Sequence, residues 1–256
     1  MPVGKGTTKS NALTARANDG LLDLTVQPVR RKPYEHVLCE SFIALSAYQE
    51  LSRSYPSCPP RIGPTGFSCY WGDPDYDALI ADNAAWRSLF DAFHSQRFVD
   101  YMITQFGETC RKNHCVVDLS KAKYVPYQES RKDKESRHIA DVVHAPHELW
   151  VRMDIHQAHV GYTRVRHLDH RRRLMTLLVY FSDATENTMQ GGDLVLHRKQ
   201  KSWTSWGDVV VRPAHNRMVA FACHANSWHS VPETVSQAAP RNFLQITVSS
   251  SVDAWP

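Results

Sequence analysis

The second half of the chain is a series of short β-strand patterns, and it limits the fold more than any other feature. From residue 148 onward, six segments rich in β-branched and aromatic residues follow one another: ELWVRMDIH, LMTLLVYF, GGDLVLH, DVVVRP, RMVAFACH and NFLQITVSSS. Turn-forming residues such as Gly191, Gly192 and Pro213 separate them, and no helical pattern intervenes. Consecutive strands without crossover helices favour antiparallel pairing. The sequence therefore predicts an antiparallel barrel or sandwich in this half.

The first half of the chain has helical periodicity instead. Within residues 40–53 apolar side chains recur every three residues, at Phe42, Leu45, Tyr48 and Leu51. Residues 83–107 show a similar stripe, with Trp86, Leu89, Phe90 and Phe93 on one face. Such spacing gathers apolar side chains on one side of a helix. We expect Ser95 to restart the second helix as an N-cap and Gly107 to end it.

These patterns divide the chain into a tail and one domain. Residues 1–30 are interpreted as a flexible N-terminal tail, and residues 31–256 as a single domain. Within that domain, 31–140 is predicted to be helical support and 141–252 the β core. Residues 121–140 are the most polar stretch outside the tail. A solvated surface loop is the favoured interpretation of this stretch, and a mobile lid is the alternative.

Charge and hydropathy exclude several classes of partner. A formal net charge of +4 is far from the strongly basic balance of a dedicated nucleic-acid binder. No apolar run approaches the roughly 20 residues that cross a bilayer, so no membrane contact is expected. The N-terminus lacks the apolar core of a secretory signal, which predicts a cytoplasmic protein. Its Lys5, Lys9 and Arg16 leave an organelle transit peptide as an alternative.

The six cysteines form no CxxC motif and no regular framework. Free thiols in a reducing compartment are therefore expected. The segment CRKNHC at 110–115 invites a zinc interpretation through Cys110, His114 and Cys115. No second close pair of ligands completes a tetrahedral zinc site, so this interpretation is the lesser one.

The segment RHLDH at 166–170 carries the chemistry-bearing residues. If it is extended, side chains alternate, so His167 and Asp169 point one way and His170 the other. A histidine and a carboxylate on one side form an acid/base pair, an ion pair or two ligands of one metal. If they are metal ligands, the third candidate is His229, 62 residues further on. Two histidines and one carboxylate that leave open positions are typical of non-haem Fe(II) oxygenases.

A positive charge follows this set of possible ligands. Arg241 lies twelve residues beyond His229, at the start of RNFLQITV. A keto acid that chelates iron brings a distal carboxylate, and a guanidinium group matches a carboxylate bidentately. The pattern therefore indicates an iron site served by a keto acid.

At this point the sequence resembles the Fe(II)- and 2-oxoglutarate-dependent dioxygenases, particularly the prolyl-4-hydroxylase-like branch. The segments that carry the resemblance are GYTRVRHLD, RLMTLLVYFSD, GGDLVL, RMVAFAC, SWHSVPET and RNFLQITV, within about residues 145–250. PYEHVLCESFIALSAYQEL looks like the family's opening helix. The resemblance implies an α+β, mainly β fold: a double-stranded β-helix, or jelly-roll, core with N-terminal helices packed on one face.

The resemblance also implies cofactors and site residues. His167, Asp169 and His229 correspond to the family's iron ligands, and Arg241 to the partner of the 2-oxoglutarate C5 carboxylate. Tyr180 corresponds to a tyrosine that helps to hold that carboxylate, and Thr176, which shares its strand face, is predicted to bind the co-substrate as well. The cofactors implied are Fe(II), 2-oxoglutarate as co-substrate, and O2. The implied reaction is hydroxylation of an unactivated C–H bond with release of succinate and carbon dioxide.

The substrate is less defined than the reaction. Five arginines flank the HxD segment, at positions 164, 166, 171, 172 and 173. Those that face inward would suit an acidic small molecule such as an amino acid or a metabolite, whereas pairing with Asp154 or Asp183 is the structural alternative. A peptide or protein side chain is the alternative substrate. Phe243 stands where the family often has a serine, which leaves the second anchor of 2-oxoglutarate undefined.

Two other functions compete with this interpretation. HLDH matches the end of HxHxDH, the zinc motif of the metallo-β-lactamase fold, but Val165 stands where that motif needs a histidine. That fold also requires helices between parallel strands. The non-catalytic alternative is a jelly-roll binding module in which the histidines only satisfy hydrogen bonds.

Overall fold

The computed structural model describes residues 20–127, 144–198 and 207–256. The helices of these residues are α1 (Leu45–Arg53), α2 (Pro74–Asp82), α3 (Ala84–Phe93) and α4 (Gln96–Lys112), with a 3₁₀ turn at Leu119–Lys121. The strands are β1 (His36–Cys39), β2 (Pro60–Ile62), β3 (Gly66–Cys69), β4 (Lys123–Tyr124), β5 (Glu148–Ala158), β6 (Arg164–His167), β7 (Arg173–Tyr180), β8 (Leu194–Leu196), β9 (Val209–Val211), β10 (Met218–Ala222), β11 (His229–Val231) and β12 (Arg241–Ser249).

The strands form two sheets. The larger sheet has the order β1-β10-β7-β12-β5-β3-β2, with β4 added in parallel to β5. The smaller sheet has the order β6-β11-β8-β9. Apart from β4, the strands pair antiparallel, and strands that are distant in sequence lie side by side. This is the predicted α+β, mainly β jelly-roll arrangement.

Alternating side chains give the larger sheet two different faces. In β5, Met153 and Ile155 are fully buried on one face, while Arg152, Asp154 and His156 line a cavity on the other. The neighbouring strands β7 and β12 repeat the division, because a period of two sends successive side chains to opposite faces. One face is therefore an apolar core, and the other is largely polar.

The helices cover the apolar face. Helices α3 and α4 pack against β5, β7 and β10, as predicted for support on one side of the sheet. The Asn83 side chain accepts hydrogen bonds from the first turn of α3, and Ser95 caps α4 by accepting from the Phe98 N–H. The N-cap prediction for Ser95 is thus confirmed.

Two helix boundaries differ from the prediction. Helix α4 continues through Gly107 and ends at Lys112, because Gly107 keeps helical geometry and packs near Ile103 and Leu119. Helix α1 starts only at Leu45, and the residues before it form β1 rather than an opening helix. Leu45 is 69% exposed, so it does not belong to the buried stripe of Tyr48 and Leu51.

Residues 20–30, predicted to belong to a flexible tail, contact the domain. Leu22 is 6% exposed in the core and forms a β-bridge with Ile43, and the Asp23 N–H donates to the Phe42 carbonyl. Residues 20–30 therefore pack on the domain because Leu22 buries apolar surface there. Residues 1–19 lie outside the described residues, as does most of the 121–140 stretch. In the described parts of the chain, none of the helices has the length and apolar composition needed to cross a membrane.

Candidate metal centre and cavity

The cavity lies between the two sheets and has a volume of about 520 Å³. The smaller sheet contributes His167 and His229, and the larger sheet contributes Arg241 and Tyr180. The two sheets also contact each other, since the Phe221 ring of β10 lies 5.0 Å from the His229 ring of β11. Asp169 lines the cavity as well, so five of the six predicted site residues, all except Thr176, surround the same space.

His167, Asp169 and His229 form a compact cluster of possible metal ligands, called the metal cluster below. One ligand atom from each residue lies within 4.8 Å of the others. The two histidines are Cα partners on β6 and β11, and their ring centroids are 4.3 Å apart. Strand β6 ends at His167, so Asp169 reaches the cluster from the segment that follows the strand.

The main chain orients both imidazole rings. His167 Nδ1 lies 2.8 Å from the Val165 carbonyl oxygen, and His229 Nδ1 lies 3.0 Å from that of Ser227. A carbonyl only accepts hydrogen bonds, so each Nδ1 carries the proton and each Nε2 keeps a lone pair for a metal. Burial, with help from the neighbouring His229, lowers the pKa of His167 to about 4, which keeps its ring neutral.

Asp169 is held as a carboxylate. Arg173 donates to its Oδ1 at 2.6 Å, and the Thr176 hydroxyl donates to its Oδ2 at 2.7 Å. Burial alone raises the pKa of Asp169, but the charge of Arg173, the nearby histidines and the Thr176 hydrogen bond outweigh it. The pKa therefore lies below its ordinary value, and the side chain offers a fixed negative charge.

The strand that carries His229 is also held from its other side. Ser230 Oγ lies 2.6 Å from His197 Nε2, and His197 Nδ1 lies 2.7 Å from Asp208 Oδ2. This chain of hydrogen bonds connects β11 to β8 and to the start of β9. His197 and Asp208 lie on either side of residues 199–206, which lie outside the described residues.

Arg241 is a buried cation at the side of the cavity. It is 2% exposed and lies over the rings of Tyr162 and Phe243, with Cζ 5.4 Å and 4.9 Å from their centroids. One of its NH groups donates to the Gly192 carbonyl, while its buried Nε has no partner among the described residues. A buried guanidinium with an unsatisfied donor fits a carboxylate of a bound ligand.

The double-glycine turn contributes to this arrangement. Gly191 and Gly192 both have a φ angle of 73°, a backbone conformation that residues with a side chain rarely adopt. A Cβ atom at Gly191 would overlap the Glu233 carbonyl. The glycines therefore let the turn approach residues 233–234 and present the carbonyl that orients Arg241.

Tyr180 and Thr176 lie on the same face of β7 but have different partners. Tyr180 lines the cavity near Arg241, and burial raises its pKa to about 12, so it stays a neutral donor. Thr176 donates its hydroxyl to Asp169 and does not line the cavity. The geometry therefore connects Thr176 to the metal cluster, and its predicted contact with 2-oxoglutarate stays a prediction.

Sequence reasoning missed a polar wall on β5, formed by Arg152, Asp154 and His156 and called the β5 wall below. Arg152 Nε donates to both carboxylate oxygens of Asp154 at 3.0 Å. His156 is 6% exposed and stacks on Phe243, with ring centroids 4.9 Å apart. The signal in the sequence was a polar residue at every second position of an otherwise apolar strand, RMDIH.

The flanking arginines divide into distinct groups. Arg164 and Arg173 line the cavity. Arg173 pairs with Asp169, and Arg166 Nη2 lies 3.8 Å from Asp208. Arg152 of β5 pairs with Asp154, and Asp183 accepts from the N–H groups of Thr185 and Glu186, so the predicted structural pairing of the flanking arginines with these two aspartates stays a prediction.

The structure also bears on the rival functions. His170 is not part of the metal cluster, yet it lines the cavity, so the prediction that it points away is wrong: β6 ends before it and strict alternation stops there. Among the described residues only the metal cluster gathers three possible ligand side chains, and Cys110, His114 and Cys115 form no such group. Antiparallel strands replace the parallel strands that a metallo-β-lactamase fold requires.

Comparison with known proteins agrees with this geometry. The model of the 2OG-Fe(II) oxygenase superfamily matches residues 153–246. No curated protein matches the chain. Among solved structures, a prolyl 4-hydroxylase from Phytophthora capsici is similar, with a TM-score of 0.52 and 16% identity over 98% of this chain and 69% of that one. A prolyl-4-hydroxylase from Pseudomonas putida gives a TM-score of 0.50 and 13% identity over 84% of this chain and 92% of that one.

The matched region contains both histidines and the aspartate of the metal cluster together with Arg241. The donor set and the buried, unsatisfied guanidinium fit the Fe(II) and 2-oxoglutarate that this superfamily uses with O2. Residues 153–246 of this chain therefore match the 2OG-Fe(II) oxygenase superfamily, a superfamily of enzymes, and they include the residues predicted to hold iron and 2-oxoglutarate.

Proposed function

We propose that the protein hydroxylates an unactivated C–H bond of a small molecule, an amino acid or a metabolite. In this proposal His167, Asp169 and His229 hold Fe(II), and Arg241 with Tyr180 holds the distal carboxylate of 2-oxoglutarate. The observation that carries it is the convergence of the metal cluster and a buried arginine with a free donor on one cavity. The predicted cytoplasmic location belongs to the proposal and rests on the sequence alone.

The chain's own groups divide the work. The Val165 and Ser227 carbonyls hold the proton on each Nδ1, so that each Nε2 would be free to bind iron, and Arg173 with Thr176 fixes the Asp169 carboxylate. Leu178, Leu194 and Val231 line the cavity and exclude water, which strengthens the pairing of Arg241 with a carboxylate. When bound, iron and 2-oxoglutarate supply the oxidation: one atom of O2 enters succinate and the other the substrate C–H bond, with release of carbon dioxide.

The cavity size supports a small-molecule substrate. Its volume of about 520 Å³ lies in the range of roughly 300–1,000 Å³ found for small-molecule sites. Hydroxylation of a peptide or protein side chain is the alternative, which the likeness to prolyl 4-hydroxylases keeps open. Oligomeric state plays no part in either proposal.

The proposal is tested on the full chain reconstituted with Fe(II). We expect 2-oxoglutarate to be converted slowly to succinate without added substrate, and faster when an untargeted metabolite extract is added. Conversion should require both O2 and iron, and zinc should inhibit in competition with iron. Mass spectrometry should then show a metabolite heavier by one oxygen atom. Succinate release that does not depend on iron would contradict the proposal, and stimulation only by peptides would favour the alternative substrate.

A further inference from the structure

The β5 wall contains a donor that the described residues leave unsatisfied. His156 lines the cavity, and its Nδ1 lies 2.8 Å from the Ser68 hydroxyl, while its Nε2 is buried and has no partner among the described residues. Burial lowers the pKa of His156 to about 4, so the ring is neutral near pH 7 and has one N–H. A buried polar atom with no partner is uncommon in a native fold and calls for an explanation.

The position of the ring proton follows from the hydrogen-bond inventory. If Nδ1 carried the proton, it would donate to Ser68, and the buried Ser68 hydroxyl would have no described acceptor of its own. If Ser68 donates to Nδ1, both of those groups are satisfied and Nε2 carries the proton. The second arrangement leaves fewer groups unpaired, so the unpaired Nε2 of this cavity-lining histidine is an N–H donor.

The nearby charge favours an anion at this donor. The charged groups that act on the His156 ring are Asp154, Arg152, Arg173 and Arg164. Asp154 is neutralised by Arg152, and Arg173 by Asp169. Arg164 lines the same cavity, and in the part of the chain that the structure describes it has no hydrogen-bond or ion-pair partner.

The total charge of the cavity leads to the same conclusion. Its described lining contains four arginines and two aspartates, a net charge of +2 without the histidines. Bound Fe(II) and the 2-oxoglutarate dianion would cancel each other and leave this charge unchanged. Arg241 is already assigned to 2-oxoglutarate, together with its neighbours Tyr162 and Tyr180. The positive charge that is left over therefore lies towards Arg164 and the β5 wall.

We infer that the substrate is a small carboxylic acid whose carboxylate is bound by Arg164 and by the Nε2–H of His156. This inference rests on the proposed function and assigns its substrate class. Arg164 supplies a charge at the rim of the cavity, and His156 supplies a directed hydrogen bond deeper in the wall. Neither group is required for binding iron or the distal carboxylate of 2-oxoglutarate.

The test uses matched pairs of acids and amides. Full-length, iron-loaded enzyme with saturating 2-oxoglutarate is given the proteinogenic L-amino acids, N-acetyl amino acids and aliphatic C3–C6 carboxylic acids, each beside its primary carboxamide. We expect at least one acid to stimulate succinate release above the rate without substrate, and its amide to fail. Saturation-transfer NMR on iron-free protein should show the same preference without any turnover.

Variants then connect the preference to the two residues. Arg164→Gln should raise the half-saturating concentration of the active acid about tenfold or more and leave the KM for 2-oxoglutarate unchanged. Arg164→Lys should recover part of the lost affinity for the acid. His156→Phe should also weaken binding of the acid, and His156→Asn should weaken it less, because its amide still offers an N–H group. Arg53→Gln, an equal charge change at an exposed position of helix α1 outside the cavity lining, is the control.

The outcomes distinguish a failure of the inferred substrate class from a failure of the proposed function. Amides that stimulate as well as acids, or no acid that stimulates or binds, would overturn the inference. A rise in the KM for 2-oxoglutarate in His156→Phe or Arg164→Gln would assign the carboxylate to the co-substrate and would also overturn it. If the wild-type enzyme releases no succinate even without substrate, the proposed function itself has failed.

Discussion

The metal cluster and the β5 wall face the same cavity, but their hydrogen bonds are completed to different degrees. In the cluster, both Nδ1 atoms and both Asp169 oxygens already have partners, so only the lone pairs needed by a metal remain. Opposite it, His156 Nε2 is buried without a partner among the described residues, and so is Arg241 Nε, which lies on the neighbouring strand β12. A metal requires ligand atoms that are held rigidly, whereas an organic anion requires free N–H groups. A buried N–H group without an acceptor costs about 1–3 kcal/mol of stability until the anion binds.

The largest expected effect comes from removing a metal ligand. His229→Ala or Asp169→Ala should lose nearly all bound iron and 2-oxoglutarate turnover, because the loss should exceed the roughly 10–100-fold typical of residues that only support a ligand. Iron content by elemental analysis and succinate release measure this. His170→Ala, which removes a cavity histidine outside the cluster, should keep its iron. If His170→Ala loses the metal and Asp169→Ala keeps it, the assignment of the cluster is wrong.

Arg241→Ala should act on the co-substrate alone. It leaves a buried carboxylate unpaired, a defect of about 3–5 kcal/mol, so the KM for 2-oxoglutarate should rise by about two to four orders of magnitude. Arg241→Lys should restore only part of this, because an ammonium group does not reproduce the guanidinium fork. The measurement is the KM for 2-oxoglutarate beside the iron content, which should not change. An unchanged KM would mean that another cation holds the distal carboxylate.

Thr176→Val tests whether the cluster depends on its support. The substitution preserves shape but removes the 2.7 Å hydrogen bond to Asp169, and we expect a roughly 10–100-fold weaker affinity for iron. Thr247→Val is the matched control, since Thr247 is also buried and is the Cα partner of Thr176 on β12. Iron titration of both variants gives the comparison. If instead the KM for 2-oxoglutarate rises and iron affinity does not, Thr176 serves the co-substrate as the sequence predicted.

The smallest effect is the contribution of His156 in the β5 wall to the free energy of unfolding at acid pH. The pKa of His156 in the fold is about 4, below the ordinary value of about 6.5, so between these values the unfolded chain binds a proton that the folded chain does not. Stability therefore falls as pH falls through that window, by about 2 kcal/mol at pH 5.

His156→Phe should remove this part of the acid sensitivity. The measurement is urea unfolding of iron-free wild type and variant at pH 7.5 and pH 5, where the variant should lose about 2 kcal/mol less. An equal loss in both proteins would show that the imidazole is protonated as easily in the fold as in the unfolded chain.

The sequence by itself determined what local patterns express. Period-two apolar segments predicted the strands, the HxD spacing predicted two candidate ligands, and Ser95 predicted a helix start, because these features depend on neighbours within a few residues. The order of His167, Asp169, His229 and Arg241 along the chain, together with the family resemblance, was enough to predict the iron site and its co-substrate. The double-glycine turn was also visible, since its positive φ angles restrict the residue type.

Only the tertiary structure decided which groups complete the cavity. Antiparallel pairing makes His156 the partner of Phe243, 87 positions later, and it makes His229 the partner of His167. Helix α4 passes through Gly107, and Leu22 joins the core, because packing against distant residues outweighs local propensity. The unsatisfied donors of His156 and Arg241 have the same origin: a hydrogen bond is missing only relative to everything that surrounds it, and the chain order does not contain that information.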